Sequence, residues 1–163
     1  MTKESGSQYL TFMLEKEHFA IDVFKVREIL EYTSCTKVPN TAEFVRGVIN
    51  LRGNIVPVLD LRLKFGLPPT ENTVDTCIII VEIEHNGEIT LLGALADSVR
   101  EVLEINPADI EPPPKLGTKV KNELIHGMCK TEDMIIIILN VNKLFSTAEI
   151  LEFDQLTGQV ETQ

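Results

Sequence analysis

The sequence predicts an all-β chain built from two small barrels packed side by side. Three observations lead there. First, short apolar runs bounded by polar turns recur along the whole chain and leave little room for helix. Second, one hairpin is written twice. Apolar runs at 47–51 and 55–61 flank Arg52-Gly53-Asn54, and a similar pair flanks Lys130-Thr131-Glu132-Asp133, its leading glycine 80 positions on (127 − 47 = 80). Third, Val26-Arg27-Glu28-Ile29-Leu30-Glu31-Tyr32 returns as Val99-Arg100-Glu101-Val102-Leu103-Glu104-Ile105, 73 positions on (99 − 26 = 73). Each half therefore runs hairpin, Val-Arg-Glu strand, proline break and glycine-initiated hairpin. About five short strands per half hide their edges best by curling into a barrel.

Taken in order, residues 9–14 alternate in size and polarity, Glu15-Lys16-Glu17-His18 is a turn, and 19–23 resume the apolar pattern, giving a first hairpin. Residues 26–32 fit a helical turn or a strand; their β-branched and aromatic content favours a strand from about Arg27. Pro39-Asn40 breaks the chain, and Thr41 is placed to cap a short helical turn before the central hairpin. Residues 61–65 end at Gly66, and 67–72, with two prolines, form the clearest linker. Strands at 76–83 and 89–96 bracket Asn86-Gly87, a type I′ turn signal. Pro112-Pro113-Pro114 favours a stiff extended loop unsuited to a central strand. Ser146 and Glu149 have capping-box spacing ahead of a C-terminal helix at 146–156. The barrels are then 19–66, with the strand 9–14, and 74–145; residues 1–7 and 157–163 are expected to be flexible.

Composition narrows the class. A chain of 163 residues buries roughly 70% of its unfolded surface and needs no covalent staples. Cys35, Cys77 and Cys129 are odd in number and widely spaced, which argues against a disulfide framework or thiolate metal site and for a reducing, cytoplasmic setting. Cys77 and Cys129 lie in apolar runs and read as core residues. The first residues are polar with no apolar stretch behind them, so no signal peptide is expected, and the apolar runs fall short of the ~20 residues of a membrane helix. A formal charge of −10 argues against a nucleic-acid or anionic-membrane partner, since phosphate binding needs a basic face.

Catalytic and cofactor patterns are scarce. His18, His85 and His126 lack metal-ligand spacing, and no nucleophile elbow, phosphate loop or dinucleotide fingerprint occurs, so no catalytic, metal or cofactor residue is assigned. Asp60 ends a buried run, with Asn140 at the equivalent place in the second copy. An amide cannot do acid–base work, which favours a structural acceptor over a catalytic carboxylate at that position. Binding features stand out more. Arg52, at a hairpin tip between apolar strands, suits a carboxylate or carbonyl partner, or is a solvated turn arginine. The two Val-Arg-Glu strands alternate apolar and charged residues and either line a groove or pack the barrels together. Leu116, after the proline run, either supplies an interface or folds back onto its own barrel.

The residues Phe19-Ala20-Ile21-Asp22-Val23 with Val26, Glu28 and Ile29, the run Arg46-Gly47-Val48-Ile49-Asn50-Leu51-Arg52-Gly53, and Ile55-Val56-Pro57-Val58-Leu59-Asp60-Leu61-Arg62 carry a specific likeness, continued by Val99, Val102 and Leu103. Over about 8–156 the sequence resembles the CheW family of bacterial chemotaxis coupling proteins. The resemblance implies one CheW-like domain over 8–163, two SH3-like five-stranded barrels, no enzymatic activity and no cofactor. It further implies a cytoplasmic adaptor, recruited to membrane-bound receptor arrays without inserting in the membrane, that joins chemoreceptors to the histidine kinase CheA. Carried onto matching positions, the cytoplasmic hairpin tip of a methyl-accepting receptor would dock on Val23, Val26, Glu28, Val99 and Val102, with Arg52 nearby. The regulatory domain of CheA would bind through barrel ends, and Glu111, Pro113 and Leu116 would make kinase or array contacts. Two alternatives stay open: a CheW-like module of a CheV-type adaptor, although the chain ends too soon for a receiver domain, and a ligand-binding or hydrolytic barrel using Asp60.

Overall fold

The computed structural model describes residues 8–68, 71–85, 87–112, 124–131, 133–146 and 149. Its strands are β1 (Gln8–Leu14), β2 (Glu17–Asp22), β3 (Val26–Glu31), β4 (Val45–Leu51), β5 (Asn54–Asp60), β6 (Cys77–His85), β7 (Glu88–Ala96), β8 (Ser98–Glu104), β9 (Ile110–Glu111), β10 (Ile125–Lys130) and β11 (Ile135–Leu139). A single turn of helix, α1 (Leu61–Lys64), follows β5. The expected all-β class holds.

The strands form two sheets, in the orders β8-β1-β2-β11-β10-β9 and β3-β6-β7-β5-β4. This corrects the expected division at the 67–72 linker. The first hairpin, β1–β2, pairs with β8 and β11 from the second half, and the β6–β7 hairpin pairs with β3 and β5 from the first. The two halves have exchanged hairpins. The expected equivalence of the halves survives the exchange: each sheet has one parallel contact, β11 with β2 and β5 with β7, and the rest are antiparallel. The six-stranded sheet differs from the expected five by the two-residue β9, whose place in the other sheet is taken by an isolated bridge of Thr36 to Val48.

Local details repeat too. β4 and β10 carry a register shift just before Gly47 and Gly127. A side chain at either glycine has nowhere to go: a Cβ on Gly47 would press into the Thr36 carbonyl, and one on Gly127 would sit 2.8 Å from the Glu111 carbonyl oxygen. The amides of Asp60 and Asn140 donate to the carbonyls of Phe44 and Leu124 at 2.7 and 2.9 Å.

Burial explains why several strands are apolar on both faces. In β6, Ile79 and Val81 face a large core cluster shared by the two sheets, whereas Ile78 and Ile80 face a cluster confined to the β3–β7 sheet. Tyr9, Ala20, Cys129, Ile136 and Ile138 form the corresponding cluster inside the other sheet. Three apolar layers result, one within each sheet and one between, and alternate residues of a central strand serve two of them. Cys77 and Cys129 are buried as expected.

Two local expectations change. Residues 41–44 make a turn and no helix; the Thr41 hydroxyl donates to the Val38 carbonyl at 3.0 Å. The chain between β2 and β3 is a 3-10 turn over Val23–Lys25, capped by Asp22, whose carboxylate accepts from the Phe24 amide. The capping box forms at the C-terminal end: the Ser146 amide donates to Glu149 Oε1 at 2.8 Å and the Glu149 amide to Ser146 Oγ at 3.2 Å. The expected extent of that helix beyond Glu149, the flexible ends at 1–7 and 157–163, and the triple-proline loop from Pro113 through Leu116 lie outside the described residues.

Candidate functional site: two edge strands and an arginine tip

The Val-Arg-Glu repeat is a bulge motif. Val26 pairs with Val81 and Glu28 with Ile80, leaving Arg27 as the extra residue. On β8, Val99 pairs with Phe12 and Val102 with Leu10, and the Thr11 hydroxyl both donates to the Glu101 carbonyl (2.7 Å) and accepts from its amide (3.1 Å). Arg100 and Glu101 together face the single residue Thr11 there. A bulge bends its strand and re-aims the side chains on either side. Both motifs also occupy an outer edge, β3 of one sheet and β8 of the other.

Both edges lie against the shared core. Val26 and Val99 are half-buried and pack against its cluster. The turn between β2 and β3 packs on β1, the partner of β8. At the other end Cys77, which pairs with Glu31 of β3, has the Val99 backbone among the groups that act on its thiol. Burial raises the Cys77 thiol pKa, and the Val99 backbone pulls it partly back. Of the expected groove residues, Val23 lies in the 3-10 turn, Val26 and Glu28 on β3, and Val99 and Val102 on β8. Val102 is half exposed, and so are Phe24 and Ile29, which the sequence reading did not single out. Phe24 carried no signal beyond its type; its exposure follows from the turn that projects it.

Arg52 joins this set through the β4–β5 tip. Leu51 pairs with Asn54, so the loop is Arg52-Gly53 alone, with φ of 50° and 89°. Two left-handed residues in a two-residue loop match a type I′ turn, and the Asn50 side chain accepts from the Gly53 amide at 2.8 Å. The tip brings the Arg52 guanidinium onto Glu28 of β3 as a two-point ion pair, the second contact at 3.4 Å. The hydrogen bond to Glu28 and its charge raise the Arg52 pKa. Glu132, opposite in the repeat, lies outside the described residues, as do Pro113 and Leu116; Glu111 is on β9 at the far edge of its sheet, next to Met128.

Asp60 is fully buried, and its carboxylate is saturated by cations. Its Oδ1 accepts from the Arg62 amide (3.0 Å) and Arg62 Nε (3.2 Å), and its Oδ2 from Arg62 Nη2 (3.3 Å) and Arg46 Nη1 (3.0 Å). Arg62, also buried, reaches on to Asp97 at 3.1 Å. The sequence places Arg62 in a motif but marks no partner for it and does not single out Asp97, because a charge within an apolar run gives no sign of a partner 35 positions away (97 − 62 = 35). Among the described residues no group of histidine, cysteine and carboxylate side chains is arranged to hold a metal ion.

A two-sheet β protein with exposed apolar edges and a buried, charge-saturated carboxylate has the make-up of a protein-binding module. The CheW-like domain family matches residues 8–149. Chemotaxis protein CheW of Klebsiella aerogenes is 32% identical over 151 residues, covering 93% of this chain and 89% of that protein. CheW of Helicobacter pylori is 36% identical over 141 residues, covering 86% and 82%. The solved structure of the scaffolding protein TtCheW from Thermoanaerobacter tengcongensis superposes with a TM-score of 0.80 at 38% identity, covering 91% of this chain and 92% of that one. The chain belongs to the CheW-like family and, with those relatives, is a chemotaxis adaptor. Chemotaxis protein CheV3 of Helicobacter pylori matches more weakly, at 26% identity, and this chain spans 43% of its length.

Proposed function

We propose that this adaptor is non-enzymatic and joins the cytoplasmic hairpin tip of a methyl-accepting chemoreceptor to the regulatory domain of the histidine kinase CheA. The observation that carries the receptor side is the pair of bulged edge strands, β3 and β8, whose valines lie over the shared core with Phe24, Ile29 and Val102 uncovered beside them. A receptor helix with an apolar stripe would bury against Val23, Val26, Val99 and Val102, and the Glu28–Arg52 pair would supply polar register at one end. Kinase and array contacts fall to the barrel ends and to Glu111, Pro113 and Leu116. Holding both partners lets a small receptor displacement bias the kinase between its active and inactive states.

A structural role for Asp60 supports the absence of catalysis: a carboxylate locked by two guanidiniums and closed to solvent is not poised to exchange protons with a substrate. No helix among the described residues is long and apolar enough to cross a membrane. The test is a pull-down of the full chain against a receptor cytoplasmic fragment and against CheA. Capture of both is expected, and failure to capture either one contradicts the adaptor reading.

A further inference from the structure

We propose that the Arg62–Asp97 ion pair is a positioning latch that sets the β8 wall of the receptor groove, an inference that rests on the groove reading above. Asp97 is the one residue between β7 and β8, where the chain leaves one sheet for the other: Ala96 pairs with Cys77, and Ser98 with Met13. At this crossover one backbone bond, from the Asp97 amide to Met13, ties the chain to β1 but not to the sheet it leaves. The Asp97 side chain spans both sheets. Asp97 Oδ1 takes Arg62 Nη1 at 3.1 Å from the β3–β7 sheet, while Oδ2 accepts the Glu15 amide at the β1–β2 turn of the other sheet. The Asp97 amide donates to the Met13 carbonyl at 2.9 Å.

The latch extends inward as a charge-balanced chain. Arg46, Asp60, Arg62 and Asp97 alternate in sign, and Arg62 and Asp60 at its centre are closed to solvent. Arg62 is therefore rigid, because a buried guanidinium has few ways to satisfy its donors elsewhere. Beyond Asp97 the next side chains to be aimed are Val99, over the core, and Val102, in solvent. The opposite wall is set by other groups: Asp22 caps the three-residue turn that begins it, and the Arg27–Glu82 and Arg52–Glu28 ion pairs hold β3 itself. The geometry thus makes Arg62 and Asp97 positioning residues for β8 alone.

The test is amide hydrogen exchange on the wild type and on Asp97→Asn and Arg62→Lys, each variant keeping shape or charge. In the wild type the Glu15 amide should exchange in step with the amides of 98–101; exchange at an open-turn rate overturns the latch. In Asp97→Asn, amides of 98–101 should exchange about tenfold faster while those of β3 and β6 stay within about twofold; Arg62→Lys, which also loosens Asp60, should keep that tenfold excess of 98–101 over β3 and β6. A purely structural role would speed all core amides together, and that result, or no change, also overturns the proposal. If a variant does not fold, the wild-type comparison decides. Receptor-fragment affinity should fall with the β8 change while binding of the CheA regulatory domain holds. Exchange is read without receptor, so a receptor fragment that ignores Val26→Asp would sink the groove reading separately.

Discussion

Arg52 and Glu28 meet across two elements that the sequence separates by a proline break: a left-handed hairpin tip delivers the guanidinium to a bulged edge strand. The pair is exposed on the arginine side and partly covered on the glutamate side, so its value lies in geometry and recognition more than in stability. It fixes a charge pair at one end of an apolar surface, where a docking helix would need polar register.

Glu28→Lys should weaken receptor binding and leave melting and CheA binding unchanged, because it sets two cations against each other on the groove rim. The exchanged pair Glu28→Arg with Arg52→Glu should recover part of the affinity if the pair acts through its geometry. Receptor-fragment titration of the single and double variants checks this; equal losses in both would show that Glu28 itself touches the receptor.

Asp60→Ala leaves two guanidiniums facing a cavity and should cost about 3–5 kcal/mol by urea unfolding. Asp60→Asn should also be less stable, since an amide can accept from only one of them with full strength. A variant that stays folded at lower temperature and still binds both partners would bear out a structural carboxylate; loss of a chemical activity in an intact fold would favour the hydrolytic alternative.

Gly127→Ala should destabilise by about 1–3 kcal/mol, because its Cβ meets the Glu111 carbonyl and Ile110 and the strand must shift. Gly47→Ala should cost more, having a φ of 144° in addition to the clash with Thr36. Urea midpoints of the two variants test the ranking, which would reverse if the β9 contact were the stiffer one.

Much of this fold is legible in the sequence, and the reason is repetition. The glycine-led hairpins and the Val-Arg-Glu strands repeat because both halves use the same bulge and the same tight approach. Pairing across the chain is not legible. A repeat says which segments are alike, and β6–β7 looks like β1–β2 whether it stays with its own half or changes places. Exchanged hairpins keep every local pattern and alter only the partner. The site divides the same way: Val26, Glu28 and Val99 stand out by their repeat and resemblance. Phe24 and Asp97 do not, and Arg62 stands out only as the end of a motif with no partner marked, because exposure and ion pairing are set by long-range geometry.

The C-terminal helix start should be pH-sensitive. Burial pushes the Glu149 carboxyl up, but hydrogen bonds from Ser146 and the Lys64 ammonium at 2.9 Å outweigh it and hold its pKa below the ordinary glutamate value. A depressed folded-state pKa contributes stability above the unfolded value, near pH 4.3, and loses it as pH falls through the folded one. Lys64, which also lies 4.2 Å over the Phe44 ring, should report the release. An NMR titration should show Glu149 titrating low, and Glu149→Gln should remove the pH response; an ordinary titration would contradict the docking.

The central claim, a receptor groove between β3 and β8 distinct from the kinase surface, is tested most directly by Val26→Asp. Val26 is half-buried over the shared core at the β3 bulge, so an aspartate there places a charge in the proposed contact while the strand keeps its pairing. Calorimetric titration of the folded variant with a receptor cytoplasmic fragment and with the CheA regulatory domain should show receptor binding lost and kinase binding kept. Unchanged receptor affinity would contradict the account.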